Sequence, residues 1–544
     1  MSQATLRIQK ISGHAGSVPG EGTQREDVVC KLIDTTTCIG CKACEVACME
    51  WNDLPFGETI FDNTYQTMPE TRWNYWNLIL FNEHEREDGS LMWLMRKNQC
   101  MHCAEPGCLE ACPSDGAIVQ YTNGIVDFQQ DKCIGCGYCI TGCPFNIPKF
   151  NHETKRVYKC TLCTDRVSEG LEPACIKSCP TGCLHFGTKD DMRELANARA
   201  KQLQEHSNFP HAGVYDPPGV GGTGVMYVLH DMTQTEAYGG LPSDPHIPWS
   251  VKLWKHPLKW LGNVAMVGGL IGLFVHYIRF GPKDDPDDSH RKPERAAGCR
   301  TSRQRASGRR TTSNYNERAF AMNNRADAPA DAILPNGHIV RYTFRERLMH
   351  WINGFAYLYL MLTGLGIWSP WLFWLLIAFG GPQISRMLHP WVGLVFALSL
   401  TWMFITWASQ MHTTPEDKAW WNSMDHYVRN EDEEMPPAGR YNMGQKLLFW
   451  GFVFCGVLLL LSGLVLWVPE YIPWDARALR YVAVLIHPAA AMLTIGLFMI
   501  HIYMSVFAER GAFKSMIRGD VSQAFAKRHH RLWWERVVGS VSRR

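Results

Sequence analysis

The chain has 544 residues, with 54 Lys and Arg against 52 Asp and Glu and a formal charge of +2. At about 150 residues per domain this length spans three or four domains, and so even a balance gives no electrostatic reason to expect a nucleic-acid partner. Of the 20 cysteines, 18 lie between Cys30 and Cys183, whereas the 21 Trp and 24 Phe fall largely in apolar runs after position 250, which excludes a single soluble domain.

The opening segment, MSQATLRIQKISGHAGSVPGEGTQRED, has neither an apolar run of signal-peptide length nor an Arg pair, so no export signal of the chain's own is expected there. Four groups of four cysteines follow. Cys38, Cys41, Cys44 and Cys48 have the spacing C-x2-C-x2-C-x3-C, and Cys133, Cys136, Cys139 and Cys143 repeat it with Pro144 next. Cys100, Cys103, Cys108 and Cys112 widen the second gap to four residues, and Cys160, Cys163, Cys175 and Cys179 widen it to eleven; Pro113 and Pro180 follow these runs. Three close thiolates and a fourth before proline are the spacing of bacterial [4Fe-4S] ligation. Zinc ribbons also use C-x2-C pairs but need neither feature. The fourth cysteine of such a run serves a different cluster. Sixteen ligands therefore make four [4Fe-4S] clusters in two double-cluster modules, and electron transfer is the use that four such centres suggest. Cys30, Cys183, Cys299 and Cys455 fall outside the pattern and read as ordinary buried or incidental thiols. Residues 1–256 are expected to form this α+β ferredoxin-like cluster domain.

Two further segments precede the apolar half. Asp191 to His206 carries Met192, Leu195, Ala196, Ala198 and Leu203 at helical spacing, which predicts one amphipathic helix on the cluster domain. Gly219 to Gly224, GVGGTG, follows Asp216-Pro217-Pro218 rather than a strand, so it reads as a turn-rich surface loop and not a phosphate-binding loop.

Pro257 to Phe280 is apolar and long enough, at about 1.5 Å per residue, to cross a bilayer core of about 30 Å. It is predicted to be a transmembrane anchor over 257–280. Its His276 reads as an interfacial histidine, with contact to a haem propionate as the alternative. Residues 281–340 read as a disordered linker, first Asp-rich and then Arg-rich. Four further spans are predicted at about Leu348–Trp368, His389–Ala408, Lys446–Val468 and Leu479–Phe507, forming an all-α four-helix membrane domain over 341–510. The tail, 511–544, carries Arg510, Lys514, Arg518, Lys527, Arg528 and Arg531 near or within it, and the positive-inside rule places it in the cytoplasm. Counting back across five spans puts the cluster domain on the periplasmic side of a bacterial inner membrane. Export of a folded domain would then depend on a partner carrying a twin-arginine signal.

Histidines inside spans are functional candidates. His487 and His501 are 14 residues apart, about 21 Å along a helix and about 40° short of whole turns. His350 begins the first of the four spans on the inner side, and His389 begins the second on the outer side. Matching depths pair His350 with His501 and His389 with His487, two axial ligand pairs for two b-type haems stacked in a bundle. His412, His426, His529 and His530 fall outside the spans and read as solvated. Asn442 and Gln445, at the inner end of the third span, are candidate quinone contacts or helix-cap residues, and Tyr441 is similar.

Taken together, CIGCKACEVACMEWND, AGVYDPPGVGGTGVMYVLH and the anchor ending FVHYI resemble the iron-sulfur beta subunit of membrane-bound respiratory formate dehydrogenase. RERLMHW, RMLHPWVG, YNMGQK, LIHPAAA and IHIYM resemble its cytochrome b gamma subunit. This resemblance implies a crosswise ligand partition: Cys38, Cys41, Cys44 and Cys179; Cys48, Cys160, Cys163 and Cys175; Cys100, Cys103, Cys108 and Cys143; Cys112, Cys133, Cys136 and Cys139. It also implies that electrons from formate, oxidised on a separate molybdopterin or tungstopterin catalytic subunit, reach menaquinone or ubiquinone, with membrane lipid and possible higher oligomers as further partners. Hydrogenases and nitrate, thiosulfate or polysulfide reductases use similar parts, and a second half serving only as anchor is the reading from another class. The departure is the fusion: residues from about 284 to 321 match neither subunit, and Met322 is a candidate start of the second part, so the join is a gene fusion or a reading artefact.

Overall fold

The computed structural model describes residues 10–12, 28–57, 59, 64–85, 89–283, 328–473 and 475–541. They group into two compact units. The first is built from the described residues of Met1–Lys259 with Leu362–Pro390 and Ser462–Ile486, and the second from those of Trp260–Met361, Trp391–Leu461 and His487–Arg544.

In the first unit, a four-stranded sheet runs in the order Gly213–Tyr215, Val225–Leu229, Val29–Asp34, Leu184–Thr188, with the middle pair parallel and the outer pairs antiparallel. The strand Val29–Asp34 is buried along its whole length because both its faces are covered. Period-two alternation sends Cys30 and Leu32 to one face, where they pack with Met226 and Val228 against Ala196 and Leu203. Val29 and Ile33 face the other way, into the core that contains Cys44, Cys175 and Leu162.

The predicted amphipathic helix is Lys189–His206, started by Thr188, whose side chain accepts from the Asp191 amide at 3.2 Å. It buries Ala196, Ala200 and Leu203, whereas Leu195, expected on that face, is 40% exposed. A hairpin, Leu78–Glu85 with Leu91–Asn98, adds to the cysteine side of the core through Ile79 and Leu94.

The helix Lys259–Phe280 continues from a short helix, Trp249–Leu253, through a π-helical turn, Trp254–Leu258, that accommodates Pro257. Proline lacks the amide that an α-turn would require there. The remaining long helices are Phe344–Trp368, Pro382–Trp407, Met443–Trp467 and Ala478–Ile502. Among the described residues, four helical stretches are long and apolar enough to cross a membrane: Trp249–Phe280, Pro382–Gln410, Met443–Trp467 and Ala478–Ala508. The expected span Leu348–Trp368 lies within the 25-residue helix Phe344–Trp368, which is not among the four. In the second unit, Tyr357 packs on Phe396, Phe452 and Phe498, so four helices contribute to one aromatic core.

The expected linker lies mostly outside the described residues, as does Cys299, but residues 328–340 are ordered. Ile339–Val340 pairs antiparallel with Asp520–Val521. The expected basic tail is a folded element up to Val541: helices Ala512–Arg518, Gln523–His529 and Arg531–Val541 bury Phe525, Ala526, Trp533 and Val537 together with Ile339. Its abundant Arg and Lys mask the apolar periodicity of these few residues.

Candidate metal centres

The cysteine runs form tight loops that require left-handed backbone. Gly135, between Cys133 and Cys136, has φ +66°, and a Cβ there would collide with the Lys155 carbonyl. The loops bring the cysteines around open spaces. One cavity is lined by Cys38, Cys41, Cys44 and Cys179, together with Cys183 and Lys97. A second is lined by Cys48, Cys160, Cys163 and Cys175 with Lys31 and Gln99, and a third by Cys100, Cys103, Cys108 and Cys143 with Lys159. Among the described residues, no three His, Cys, Asp or Glu side chains close on a single ion position. A cubane, which takes one thiolate at each iron, fits thiols spread around a cavity. The remaining four, Cys112, Cys133, Cys136 and Cys139, lie within electrostatic range of one another.

Burial pushes the thiols of Cys44 and Cys112 up to about 12, and those of Cys136, Cys143 and Cys163 up to about 11. Such thiols stay protonated at neutral pH unless cations compensate, and a coordinating metal deprotonates them outright. Three buried lysines supply part of that compensation. Lys31 Nζ donates to Cys175 Sγ at 3.1 Å and Gln99 Oε1 at 3.2 Å. Burial alone would lower its pKa, but Cys175, Cys160 and Cys163 outweigh this and hold it above the usual lysine value. Lys159 Nζ donates to the carbonyls of Val126 and Cys160, and Lys97 is 2% exposed beside the first two cavities.

The four groups adjoin in series. Cys44 and Cys175 act on each other electrostatically, Cys100 and Cys160 share one apolar cluster with Cys143, and Cys108 and Cys139 share another. Beside the last group, Gln383 Nε2 donates to the Cys133 carbonyl at 3.5 Å, and Arg386 stacks over Phe150 at 5.5 Å. Both belong to the helix that carries His389.

His389 Nδ1 meets the Thr363 hydroxyl at 2.7 Å, which fixes the ring orientation. In the second unit, His350 and His501 come together with ring centroids 6.0 Å apart, and His350 Nδ1 is buried without a hydrogen-bond partner. Two metal–nitrogen bonds of about 2 Å, with half a ring beyond each, span about 6 Å. That separation is the one expected of two imidazoles that would share a single metal ion. His487 hydrogen-bonds the Leu459 backbone.

Asn442 and Gln445 satisfy each other's amides at the start of Met443–Trp467: Asn442 N donates to Gln445 Oε1 at 3.1 Å and Gln445 N to Asn442 Oδ1 at 3.0 Å. Both side chains thus serve the helix cap. Tyr441, 6% exposed, keeps its hydroxyl without a hydrogen-bond partner. His276 Nε2–H donates to the Val428 carbonyl at 2.7 Å, so Nδ1 accepts from the Tyr503 hydroxyl at 2.5 Å, and no ring nitrogen remains for a propionate. The glycine segment Gly219–Gly224 packs on the second cysteine run, with Ala104 N donating to Gly222 O and Glu105 N to Val220 O, both at 2.9 Å. His530, expected to be solvated, is 1% exposed with Nδ1 bonded to Gly439 O at 2.9 Å. Burial, then Arg341, holds it neutral well below the usual histidine range.

Sequence reasoning passed over Lys31 and Lys159 and read Cys183 as an ordinary buried or incidental thiol. Cys183 is 4% exposed in the first cavity, with its Sγ 3.5 Å from Cys179 Sγ, and its hydrogen bond lowers the Cys38 thiol to about 6 against the effect of burial. Its spacing of four from Cys179 was the available signal; Lys159 had its position next to Cys160, and Lys31 had none.

Comparison with known proteins bears on both halves. Family models for 4Fe-4S dicluster domains match residues 37–116 and 91–189, one for the transmembrane segment of formate dehydrogenase N matches 247–290, and one for prokaryotic cytochrome b561 matches 341–519. The nitrate-inducible formate dehydrogenase iron-sulfur subunit of Escherichia coli K12 is 53% identical over 281 residues, 52% of this chain and 95% of that protein. The formate dehydrogenase iron-sulfur subunit of Haemophilus influenzae is 52% identical over 298 residues, 53% of this chain and 94% of that protein. The formate dehydrogenase cytochrome b556(fdo) subunit of Escherichia coli K12 is 37% identical over 199 residues, 37% of this chain and 93% of that protein.

Proposed function

Because this chain belongs to the formate dehydrogenase iron-sulfur subunits through its first half and to the formate dehydrogenase cytochrome b subunits through its second, we propose that it carries electrons from a separate formate-oxidising subunit to membrane quinone. It is a membrane electron-transfer subunit of an oxidoreductase complex whose catalytic site lies on another chain. Iron-sulfur clusters and b-type haem supply one-electron redox chemistry when bound.

In this reading the chain holds four [4Fe-4S] clusters. Cys38, Cys41, Cys44 and Cys179 hold the first, and Cys48, Cys160, Cys163 and Cys175 the second. Cys100, Cys103, Cys108 and Cys143 hold the third, and Cys112, Cys133, Cys136 and Cys139 the fourth. His350 with His501 and His389 with His487 hold two haems. The observation that carries the reading is the crosswise grouping of the thiols: each of three cavities takes three cysteines from one run and one from another.

The partner is a molybdopterin or tungstopterin catalytic subunit. The cluster domain faces the periplasm, the C-terminal element faces the cytoplasm, and quinone is reduced near His350 and His501, with Tyr441, Asn442 and Gln445 close in sequence to that inner end. Proton uptake inside and release outside then separates charge.

Formate added to membranes that contain the complex is expected to reduce a b-type absorbance band. His501→Ala is expected to remove the inner haem and slow quinone reduction at least tenfold, while dye reduction by the catalytic partner continues. A band that formate leaves oxidised, or undiminished quinone reduction in the variant, would overturn the assignment.

A further inference from the structure

The first cysteine cavity differs from the second and third by a fifth thiol. Cys183 lines it with Cys38, Cys41, Cys44 and Cys179, is 4% exposed, and places its Sγ 3.5 Å from Cys179 Sγ. Its backbone is held by the sheet: the Cys183 carbonyl accepts from Asp34 N at 2.8 Å, and the next residue, Leu184, pairs with Ile33. The backbone that carries the thiol is therefore fixed.

Cys179, not Cys183, completes its run, since Pro180 follows Cys179 just as Pro113 and Pro144 follow Cys112 and Cys143. Resting on the four-cluster reading above, the chemistry of the cavity then becomes unequal. Four thiols bound to iron have lost their protons, and Cys183 is the one sulfur in this cavity that still has a hydrogen to give. The second cavity has a different donor, the Lys31 ammonium on Cys175.

We infer that Cys183 is a positioning residue for the first cluster, donating its S–H to the iron-bound sulfur of Cys179 and so favouring the reduced form. Reduction adds one electron, supplied by the formate-oxidising partner. Cys183 keeps its proton, and no bond to it is made or broken. A donor to cluster sulfur stabilises the state with more negative charge, so the midpoint potential of this cluster is raised relative to a cavity without the thiol.

The test is a redox titration followed by electron paramagnetic resonance on the whole purified complex, with iron analysis of each preparation. Cys183→Ala is expected to move the midpoint of one cluster to a more negative potential, with the other three and the iron content unchanged. Cys183→Ser, which keeps a donor, is expected to return it at least part of the way. An unmoved midpoint in the alanine variant would overturn the inference. So would loss of iron or conversion of one centre to a three-iron form, because Cys183 would then be a ligand. Wild-type complex without cubane signals would sink the four-cluster reading itself, an outcome distinct from normal wild-type signals that the alanine change leaves in place.

Discussion

Lys31 and Cys30 are neighbours in one strand, and the pleat gives them opposite work. Cys30 turns toward the helix Lys189–His206, is fully buried, and burial pushes its thiol up to about 12, so it is an inert packing residue. Lys31 turns toward the cysteine side and holds its ammonium 3.1 Å from Cys175 Sγ. A hydrogen bond from a charged donor contributes about 1.5 to 3 kcal/mol, and for a one-electron couple a tenfold change in equilibrium, about 1.4 kcal/mol, is about 59 mV. Only the part of that contribution that differs between the two redox states moves a potential, so Lys31→Met, similar in length but uncharged, is expected to lower the midpoint of the proposed second cluster by some tens of millivolts. The measurement is the same potentiometric titration. A change confined to the cluster beside Cys183 would place the lysine's influence elsewhere.

The short helices Gly107–Ala111 and Tyr138–Gly142 carry Cys108 and Cys139, and they touch through glycine. A Cβ on Gly142 would collide with the Gly107 carbonyl and stand 2.7 Å from Ala111 Cβ, and a Cβ on Gly107 would collide with the Gly142 carbonyl in turn. Both obstacles are fixed parts of helices, so the added atoms must push the helices apart. Overpacking of this kind costs about 1–3 kcal/mol and sometimes more. Gly142→Val is expected to strip iron from the third and fourth groups, leaving the first and second loaded, with iron per chain and the number of cubane signals as the readout. Full iron occupancy in the variant would contradict this contact. Much at this scale is legible in the sequence. Three cysteines of each proposed group are local in the chain, and the helix over Lys189–His206 follows from its own periodicity. What escapes depends on long-range pairing. Cys183 meets Cys38 because Leu184–Thr188 lies beside Val29–Asp34 in the sheet, and His530 is buried by Gly439, 91 residues away. The C-terminal element looks like a charged tail because its core needs only a few apolar residues, and their partner Ile339 comes from the end of the expected linker, before the four long helices of the second half.

Across the whole molecule, the fusion raises the question of what holds the anchor helix to the second half. The two groups of relatives are separate proteins, each matched along more than nine-tenths of its length. In the second unit, the end of Lys259–Phe280 is fastened by contacts of its own residues and of Gly281 and Lys283, at the very start of the expected linker. Lys283 Nζ, its side chain 1% exposed, sits 2.6 Å from Asp432 and 3.8 Å from Glu509, and its amide donates to Ala508 O at 2.9 Å. Asn430 Nδ2 donates to the carbonyls of Phe280 and Gly281, and His276 bridges Tyr503 and Val428. A buried charge left without its partner costs about 3–5 kcal/mol, so loss of the Lys283 charge is expected to loosen this junction. A protease site placed within residues 284–327 is therefore expected to yield two fragments that copurify in mild detergent, with quinone reduction retained. Lys283→Met in the cleaved protein is expected to weaken that association, because Asp432 and Glu509 then lose their buried cation, while the uncleaved variant remains held by the chain. Fragments that part on cleavage without any substitution would show that the covalent join, and not this junction, holds the anchor in place.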